Sequence, residues 1–316
     1  MIAVLGECVA DAFADRRPGE LTELALRVLP GGGPANTAVA LARLGTPTRF
    51  LGRLSGDVFG DLFRDHLVSS GVDLSASVRA AEPSTLAVAA LDGQGQAAYS
   101  FHAEGTADWQ WSPDELTGLG GASCLHTGSL ALVREPGRDV VESFAAAAAG
   151  QATVSIDPNV RPSLAAREAY QVTRWCGIAD ILKLSEDDLT FLLPGEPMER
   201  ACDTWHAAGA RLIVVTRGAS GALVSLEGAR ATVGAPRVRV VDTVGAGDAF
   251  TAGLLHHLSA RGLLGGRLDG LDLDTATEAA AFAAQVAAMT CAVAGANPPW
   301  AYQLTDLDAD HLADGA

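Results

Sequence analysis

The sequence predicts an α/β fold built on a mostly parallel sheet, with a smaller second sheet beside it. From about residue 121 onward, short apolar runs alternate with longer helical patterns, which is typical of βαβ crossovers. Two strand-like runs near residue 90 are joined instead by a glycine-containing turn, which predicts a hairpin outside the main sheet. The 316 residues are 48% hydrophobic, enough to bury a core, and no repeat or linker divides them. We therefore predict one domain over residues 1–316.

Composition and charge exclude several classes of protein. A net charge of −16 provides no basic face for a nucleic acid. The five cysteines are scattered without a CxxC pair, which favours reduced, mostly buried thiols. The chain begins with a strand-like run instead of a basic leader, and its longest apolar stretch, 279–294, is interrupted by Gln285 and Thr290. We expect a cytoplasmic protein with neither nucleic acid nor membrane as partner.

The first elements bring polar groups to the end of a strand. Ile2–Leu5 is a short buried strand, and Asp11 follows near its carboxyl end, where ligands bind in open α/β sheets. Leu21–Leu29 alternates like a half-buried strand. Residues 31–37 then form a glycine-rich turn that leads into a helix over 38–44. This turn suits either a ligand held by backbone N–H groups and Asn36, or an ordinary helix cap after a flexible turn.

The hairpin predicts a structure outside the main sheet. Thr85–Leu91 and Gln96–His102 are joined by the turn 92–95. Together with the strand near Leu24 they can form a small sheet, with lid strands from about 12–30 and 84–103. The exposed face of this sheet could instead pair with a second copy of the chain, so we also predict a possible homodimer through the lid, which light scattering would detect.

The remaining elements follow from periodicity. The sequence predicts strands over 49–54, 124–127, 153–157, 181–184, 212–216, 222–225 and 238–241. It predicts helices over 59–70, 137–149, 164–176, 187–193, 198–208, 249–259 and 275–292. The segment 262–274 is glycine-rich and polar, which indicates a surface loop.

The clearest chemical signal is the strand-to-helix turn at residues 242–250. Gly245, Ala246 and Gly247 leave backbone N–H groups free at the start of a helix, where an anion is stabilised. Asp248 follows directly, although a carboxylate would repel an anion bound there. A general base for a hydroxyl that attacks a phosphoryl group explains its presence.

Three further strand ends carry polar groups to the same edge of the predicted sheet. They are DPNVR at 157–161, KLSEDD at 183–188 and TRGASG at 216–221. Strand-end turns are often rich in such residues, so each segment alone is a weak indication. Other nucleotide and hydrolase motifs are missing: the only lysine, Lys183, is not in a Walker A loop, and there is no GxGxxG after the first strand, no GxSxG and no HExxH.

The glycine-rich turn leading into AVALARLG, the DPNVR segment, VTRGASG at 215–221 and above all DTVGAGDAF at 242–250 resemble the ribokinase (PfkB-type) family of carbohydrate kinases. The resemblance extends from Gly6 to about Asn297, and it is greatest to fructokinase-like bacterial members. It implies a three-layer αβα sandwich with a β-sheet lid. It also implies transfer of the γ-phosphate of ATP to a primary sugar hydroxyl, with Mg²⁺ as cofactor.

The resemblance assigns roles by position. Asp248 is the base, and the catalytic set is completed by Gly245, Ala246, Gly247 and Arg161. The sugar is bound by Asp11, Gly32, Gly33, Asn36 and His102. The nucleotide site includes Lys183, Thr216, Gly218, Gly221 and Asn297.

Some positions depart from the family pattern. The Asn-x-x-Glu motif is replaced by Ser185-Glu186-Asp187-Asp188, so Glu186 and Asp188 are assigned to Mg²⁺ through water. Val244 stands where threonine is common, and with Asp242 it forms a possible K⁺ site. His102 takes the place of an arginine found in many sugar kinases, and an ordinary exposed strand histidine explains it equally well.

The sequence therefore predicts an ATP-dependent sugar kinase with fructose as the favoured substrate. The alternative substrates are 2-keto-3-deoxygluconate, a phosphorylated ketohexose or a nucleoside. A catalytically silent sugar sensor with the same fold is the alternative outside enzymes. The intact Gly-Ala-Gly-Asp run at 245–248 favours the enzyme, because a silent relative would be free to lose it.

Overall fold

The computed structural model describes residues 1–15, 23–91 and 97–304. The first two residues of the strand predicted over 21–29 and the hairpin turn at 92–95 lie outside them, as does Gln96. The strands, in chain order, are β1 (Ile2–Leu5), β2 (Val9–Asp15), β3 (Ala25–Gly31), β4 (Thr48–Leu51), β5 (Arg53–Ser55), β6 (Val78–Ala80), β7 (Thr85–Leu91), β8 (Ala97–His102), β9 (Cys124–Gly128), β10 (Thr153–Asp157), β11 (Ile181–Ser185), β12 (Leu212–Thr216), β13 (Ala222–Leu226) and β14 (Ala229–Val233). The helices are α1 (Gly33–Arg43), α2 (Val58–Ser69), α3 (Arg138–Ala148), α4 (Val172–Trp175), α5 (Glu186–Leu192), α6 (Met198–Ala208), α7 (Ala246–Ala260) and α8 (Leu273–Cys291).

The main sheet has eight strands in the order β14-β13-β12-β11-β10-β9-β1-β4. Its strands are parallel from β12 to β4, and β13 runs antiparallel to both of its neighbours. Apolar residues from the two faces of the sheet enter two separate clusters, one shared with α1, α2, α7 and α8 and the other with α3, α4, α5 and α6. Helices on both faces confirm the predicted three-layer α/β sandwich.

A second sheet of four strands, in the order β3-β2-β7-β8, lies outside the main sheet. The hairpin of β7 and β8 is antiparallel, as predicted, and β2 joins β7 in parallel. Ala10 and Ala12 are buried on the face that packs against the apolar cluster of α1 and α2. This small sheet therefore sits at the end of β1, beside the glycine-rich turn that starts α1.

Several predicted elements differ from the structure. Residues 238–241 form no strand, and Val240 and Val241 are 60% and 55% exposed. The sheet edge is taken instead by β14, which the sequence analysis did not predict, because β14 follows β13 in a short hairpin. The strand predicted over 49–54 divides into β4 and β5, since β5 pairs with β6 in a separate ladder.

The helix predicted over 164–176 is also wrong for most of its length. Only α4 is helical there, preceded by a short 3₁₀ turn over Arg167–Ala169. The Tyr170 hydroxyl accepts a hydrogen bond from the Arg161 backbone N–H at 2.8 Å, so this segment folds back onto the end of β10.

Four of the five cysteines are buried and none is in a disulfide, as predicted. Within the described residues, no helix is both long and apolar enough to cross a bilayer. The structure of a single chain does not test the predicted cytoplasmic location or the predicted homodimer through the small sheet, so both remain predictions.

Candidate active site

Asp248 lies in the first turn of α7, and Gly245 is the residue that caps this helix. Gly245 adopts a left-handed conformation with φ 76°, and a Cβ built on it would lie 2.7 Å from the Cβ of Ala296. Glycine is therefore required there for both backbone and space. Ala246 N–H donates to Thr243 O at 3.2 Å, which closes the turn. The next amides, those of Gly247 and Asp248, belong to the first turn of the helix, where N–H groups have no partner within the helix.

The carboxylate of Asp248 is held by amides from two other elements. Asn36 Nδ2, in the first turn of α1, donates to Asp248 Oδ2 at 2.9 Å, and Asn159 Nδ2 donates to Oδ1 at 3.4 Å. Asp248 is 8% exposed, and burial raises the pKa of its carboxyl above the usual value. The Asn36 hydrogen bond and the charges of Lys183 and Arg161 act in the opposite direction. The geometry presents a fixed, desolvated carboxylate at a helix start, which suits a general base.

Asp11 and the turn before α1 lie close to this carboxylate. A Cβ on Gly33 would meet Asn159 Nδ2 and lie 3.2 Å from Asp248 Oδ1, so the glycine lets the backbone approach both side chains. Asp11 lies against Gly31. Burial raises the pKa of the Asp11 carboxyl to about 6; the charge of Arg161 acts to lower this pKa, and the smaller effect of the Asp248 charge acts to raise it. The structure thus brings Asp11, Gly33 and Asn36 to one place, and their role as sugar ligands remains a prediction.

His102 is placed differently. In the ladder of the small sheet it is in register with Leu86 and, through Leu86, with Ala10. Residues in register share a face of the sheet, so His102 leaves it on the face opposite to Asp11. The structure does not support the grouping of His102 with the other predicted sugar ligands.

Arg161 follows β10 and is exposed. Its Nη1 donates to backbone carbonyls of its own loop, at 3.2 Å to Asn159 O and 3.0 Å to Val160 O. Its charge lowers the pKa of Asp11, Asp248 and Glu7, which places the guanidinium within electrostatic reach of all three. A cation in this position can meet an anionic group brought to Asp248.

The predicted nucleotide residues lie further along the same edge of the sheet. Thr216 ends β12, and Gly218 has a left-handed φ of 53° with open space beside it. Gly221 lies against the carbonyl of Val233, where a Cβ would collide, so the close pairing of β13 and β14 explains this glycine. Asn297 is exposed, and its Oδ1 accepts from Arg43 Nη1 at 2.6 Å, which ties the segment after α8 to α1.

Asp242 joins the two segments that flank the start of α7. Val244 N–H donates to Oδ1 at 3.1 Å and Gly295 N–H to Oδ2 at 2.9 Å. Partial burial acts to raise the pKa of Asp242, but these backbone hydrogen bonds lower it below the usual value. Both carboxylate oxygens of Asp242 thus accept from backbone N–H groups, and the K⁺ site assigned to Asp242 and Val244 remains a prediction.

The residues assigned to Mg²⁺ differ in what they can offer. Asp188 caps α5: Oδ2 accepts from Ser185 N–H and Oγ at 2.9 and 2.7 Å, and Oδ1 accepts from Val160 N–H at 2.9 Å. Glu186 is exposed at the same helix start. No group of three or more His, Cys, Asp or Glu among the described residues forms a cage for a metal. Mg²⁺ usually keeps several waters and binds through one or two carboxylates and substrate phosphates, and Glu186 is the exposed carboxylate at this helix start.

Several buried polar residues lie at this edge of the sheet; Lys183 was predicted as a nucleotide residue, but Asp157, Glu7, His126 and Ser129 were not predicted as site residues. Lys183 Nζ and Asp157 Oδ2 form an ion pair at 2.8 Å, and His126 and Ser129 line a cavity of about 10 Å³ beside Asp248. Glu7 is 2% exposed, and its Oε2 has no hydrogen-bond partner in the part of the chain that the structure describes. The strand-end positions of Asp157 and Glu7 were the available signal, because the carboxyl ends of parallel strands meet at one edge.

The buried Glu7 makes the free energy of unfolding of the chain depend on pH. Burial raises its pKa from 4.5 to about 7, although a hydrogen bond from Ser129 acts to lower it. The folded chain therefore binds a proton that the unfolded chain releases, and Glu7 destabilises the fold as the pH rises through this range. We expect Glu7→Gln to be more stable than the wild type by up to about 3 kcal/mol at roughly pH 8, with little difference near pH 5.

Urea unfolding of both proteins at the two pH values measures this difference. Glu168→Gln, at an exposed position, is the matched control and should show no such trend. An equal change in the free energy of unfolding at both pH values would contradict the assignment of the titrating group to Glu7.

The sandwich with its small sheet, and the aspartate at the start of α7, define the ribokinase-like class. The model of the pfkB family carbohydrate kinases matches residues 1–301, and the chain belongs to this family. It is 37% identical over 264 residues to a fructokinase of Rhizobium leguminosarum bv. trifolii, covering 81% of this chain and 80% of the relative. A fructokinase of Klebsiella pneumoniae is 36% identical, with 83% and 85% covered.

Solved structures agree with this placement. Fructokinase from Xylella fastidiosa with bound ATP superposes with a TM-score of 0.87 at 28% identity, covering 98% of both chains. Aminoimidazole riboside kinase from Salmonella enterica, with aminoimidazole riboside and an ATP analogue, gives a TM-score of 0.81 at 27% identity, covering 96% of this chain and 98% of that one. The resemblance predicted from the sequence motifs is confirmed.

Proposed function

We propose that the chain is an ATP-dependent fructokinase. The observation that carries the proposal is the buried Asp248 carboxylate, fixed by Asn36 at the start of α7 and next to Asp11. Curated fructokinases at 36–37% identity over about four fifths of the chain support fructose as the substrate. A fructokinase structure from Vibrio cholerae with fructose, ADP and potassium supports ATP and K⁺ as further ligands.

In this proposal Asp248 takes the proton from a primary hydroxyl while the hydroxyl oxygen attacks the γ-phosphorus of ATP, and ADP leaves. The amides at the start of α7 and Arg161 stabilise the negative charge on the transferred group. Asp11, Gly33 and Asn36 hold the sugar, and the small sheet covers it as a lid within a single domain. Glu186 would hold Mg²⁺ through water, where the ion would neutralise charge on the phosphates, and Asp242 would hold K⁺.

A nucleoside kinase is the second candidate, because the similarity to aminoimidazole riboside kinase covers nearly the whole chain. A coupled ADP-release assay with fructose, 2-keto-3-deoxygluconate, fructose 6-phosphate and aminoimidazole riboside distinguishes the candidates. We expect kcat/KM for fructose to exceed the others by at least roughly tenfold, and to fall when Na⁺ replaces K⁺. Preference for the riboside would replace the fructokinase proposal, and no turnover with any of them would favour a silent sensor.

A further inference from the structure

Lys183 is the only lysine in the chain, and it is buried. It lies on β11, and its Nζ pairs with Asp157 Oδ2 on the neighbouring β10 at 2.8 Å. The side chains are 4% and 6% exposed. Burying two charges is costly unless their geometry is fixed and their remaining sites are satisfied. Asp157 meets this condition, since Oδ1 accepts from Asn159 N–H at 3.0 Å and Oδ2 from Thr251 Oγ1 at 3.4 Å.

The ammonium reaches the underside of the turn that carries Asp248. A Cβ on Gly247 would lie 3.1 Å from Lys183 Nζ, so the cation lies against the first turn of α7. A helix start already carries partial positive charge, and a cation is ordinarily unfavourable there. The location of Lys183 therefore requires compensating negative charge above and below it.

The charged and titratable groups that face Lys183 are known from each neighbouring element. Asp157 on β10, Asp248 on α7 and Asp188 on α5 favour its cationic form, and they outweigh burial, so the pKa of Lys183 is raised. On β9, burial together with the Lys183 charge lowers the pKa of His126 to about 3, so that imidazole is neutral. Asp248 itself is also faced by Asp157, Arg161 and, from β2, Asp11.

We propose that Lys183 is a positioning residue for Asp248: its ammonium, fixed by Asp157 beneath the α7 turn, stabilises the negative charge of the Asp248 carboxylate. It acts from behind the backbone and is not a direct nucleotide ligand. This role for Lys183 does not depend on the proposed function, but its expected effect on kcat does. Loss of the cation leaves Asp248 more readily protonated, so the acid limb of the kcat profile moves to higher pH.

The kinetic test neutralises the whole pair. Lys183→Met alone leaves Asp157 as an unpaired buried charge, so the informative protein is Lys183→Met with Asp157→Asn. We expect the acid limb of its pH–kcat profile for fructose to rise by up to about one pH unit, because the lost Lys183 charge lowers the pKa of Asp248 more than the lost Asp157 charge raises it. Exchange of an exposed ion pair, Arg230→Met with Asp203→Asn, is the control and should leave the limb in place. A lowered melting temperature with an unmoved limb would overturn the proposal.

A second measurement needs no turnover and separates this inference from the proposed function. Because the chain has one lysine, growth with lysine isotope-labelled at Nζ gives one side-chain NMR signal. In the wild type this signal should shift with pH as Asp248 titrates, and Asp248→Asn should remove that step. If the step persists in Asp248→Asn, Lys183 does not sense Asp248 and the proposal fails, whichever substrate the enzyme uses.

Discussion

Asp248→Asn should lower kcat for sugar phosphorylation by roughly 10³-fold, because an amide cannot accept the hydroxyl proton. The fold should survive, since asparagine is nearly isosteric and still offers Asn36 a carbonyl oxygen in place of Oδ2. Removing a carboxylate whose pKa burial raises also removes a source of instability at neutral pH. The affinity for ATP should change little, because the carboxylate does not itself hold the nucleotide in the proposed site.

Steady-state kinetics and a nucleotide titration of the same protein check this prediction. Asp187→Asn is the matched control, since Asp187 is an exposed aspartate in the first turn of α5 at the same edge of the sheet. Turnover of Asp248→Asn within tenfold of the wild type would remove Asp248 from the role of base.

Gly245→Ala should lower kcat by roughly 10²-fold, because the turn that presents the helix amides must move. The added Cβ would lie 2.7 Å from Ala296 Cβ and 3.0 Å from Ala296 Cα, and alanine is unfavourable at φ 76°. The segment after α8 would shift as well, since Asp242 ties it to this turn through Gly295. Stability should fall by the cost of a left-handed alanine, about 1–2 kcal/mol, plus that of the clash.

Gly262→Ala separates the two causes. Gly262 lies just after α7 with a similar φ of 69°, but a Cβ there meets nothing within 4 Å. It should lose comparable stability from the backbone and keep its activity. If thermal unfolding and kcat change equally in both variants, the anion-binding turn is not what Gly245 maintains.

The sequence was sufficient for the architecture because the relevant signals are local. Alternating strands and helices predicted the parallel sheet with helices on both faces, and the turn signal near residue 92 predicted the hairpin of β7 and β8. The run Gly245–Asp248 predicted a helix start with a carboxylate, and α7 begins at Ala246. Each of these features depends on residues close together in the chain.

Local patterns gave wrong predictions where two segments of the chain could occupy the same position in the sheet. The β-branched run at 238–241 has strand propensity, but the edge beyond β13 is taken by β14, so Val240 and Val241 remain exposed. The alternation of polar and apolar residues in a strand also does not show which face of the small sheet a side chain lies on. That requires the register of the paired strands. The pairing of His102 with Leu86 decided its face.

The sequence by itself determined the family, the parallel α/β architecture and the identity of the residue at the start of α7. Only the tertiary structure decided which distant side chains meet there. Asn36 and Asp248 are 212 positions apart and bond at 2.9 Å, because α1 and α7 pack side by side with their first turns at the same edge of the sheet. Lys183 and Asp157 pair because β10 and β11 are neighbours. The sequence does not indicate that a lysine in a strand is buried. The role of its charge depends on the carboxylates that folding brings around it.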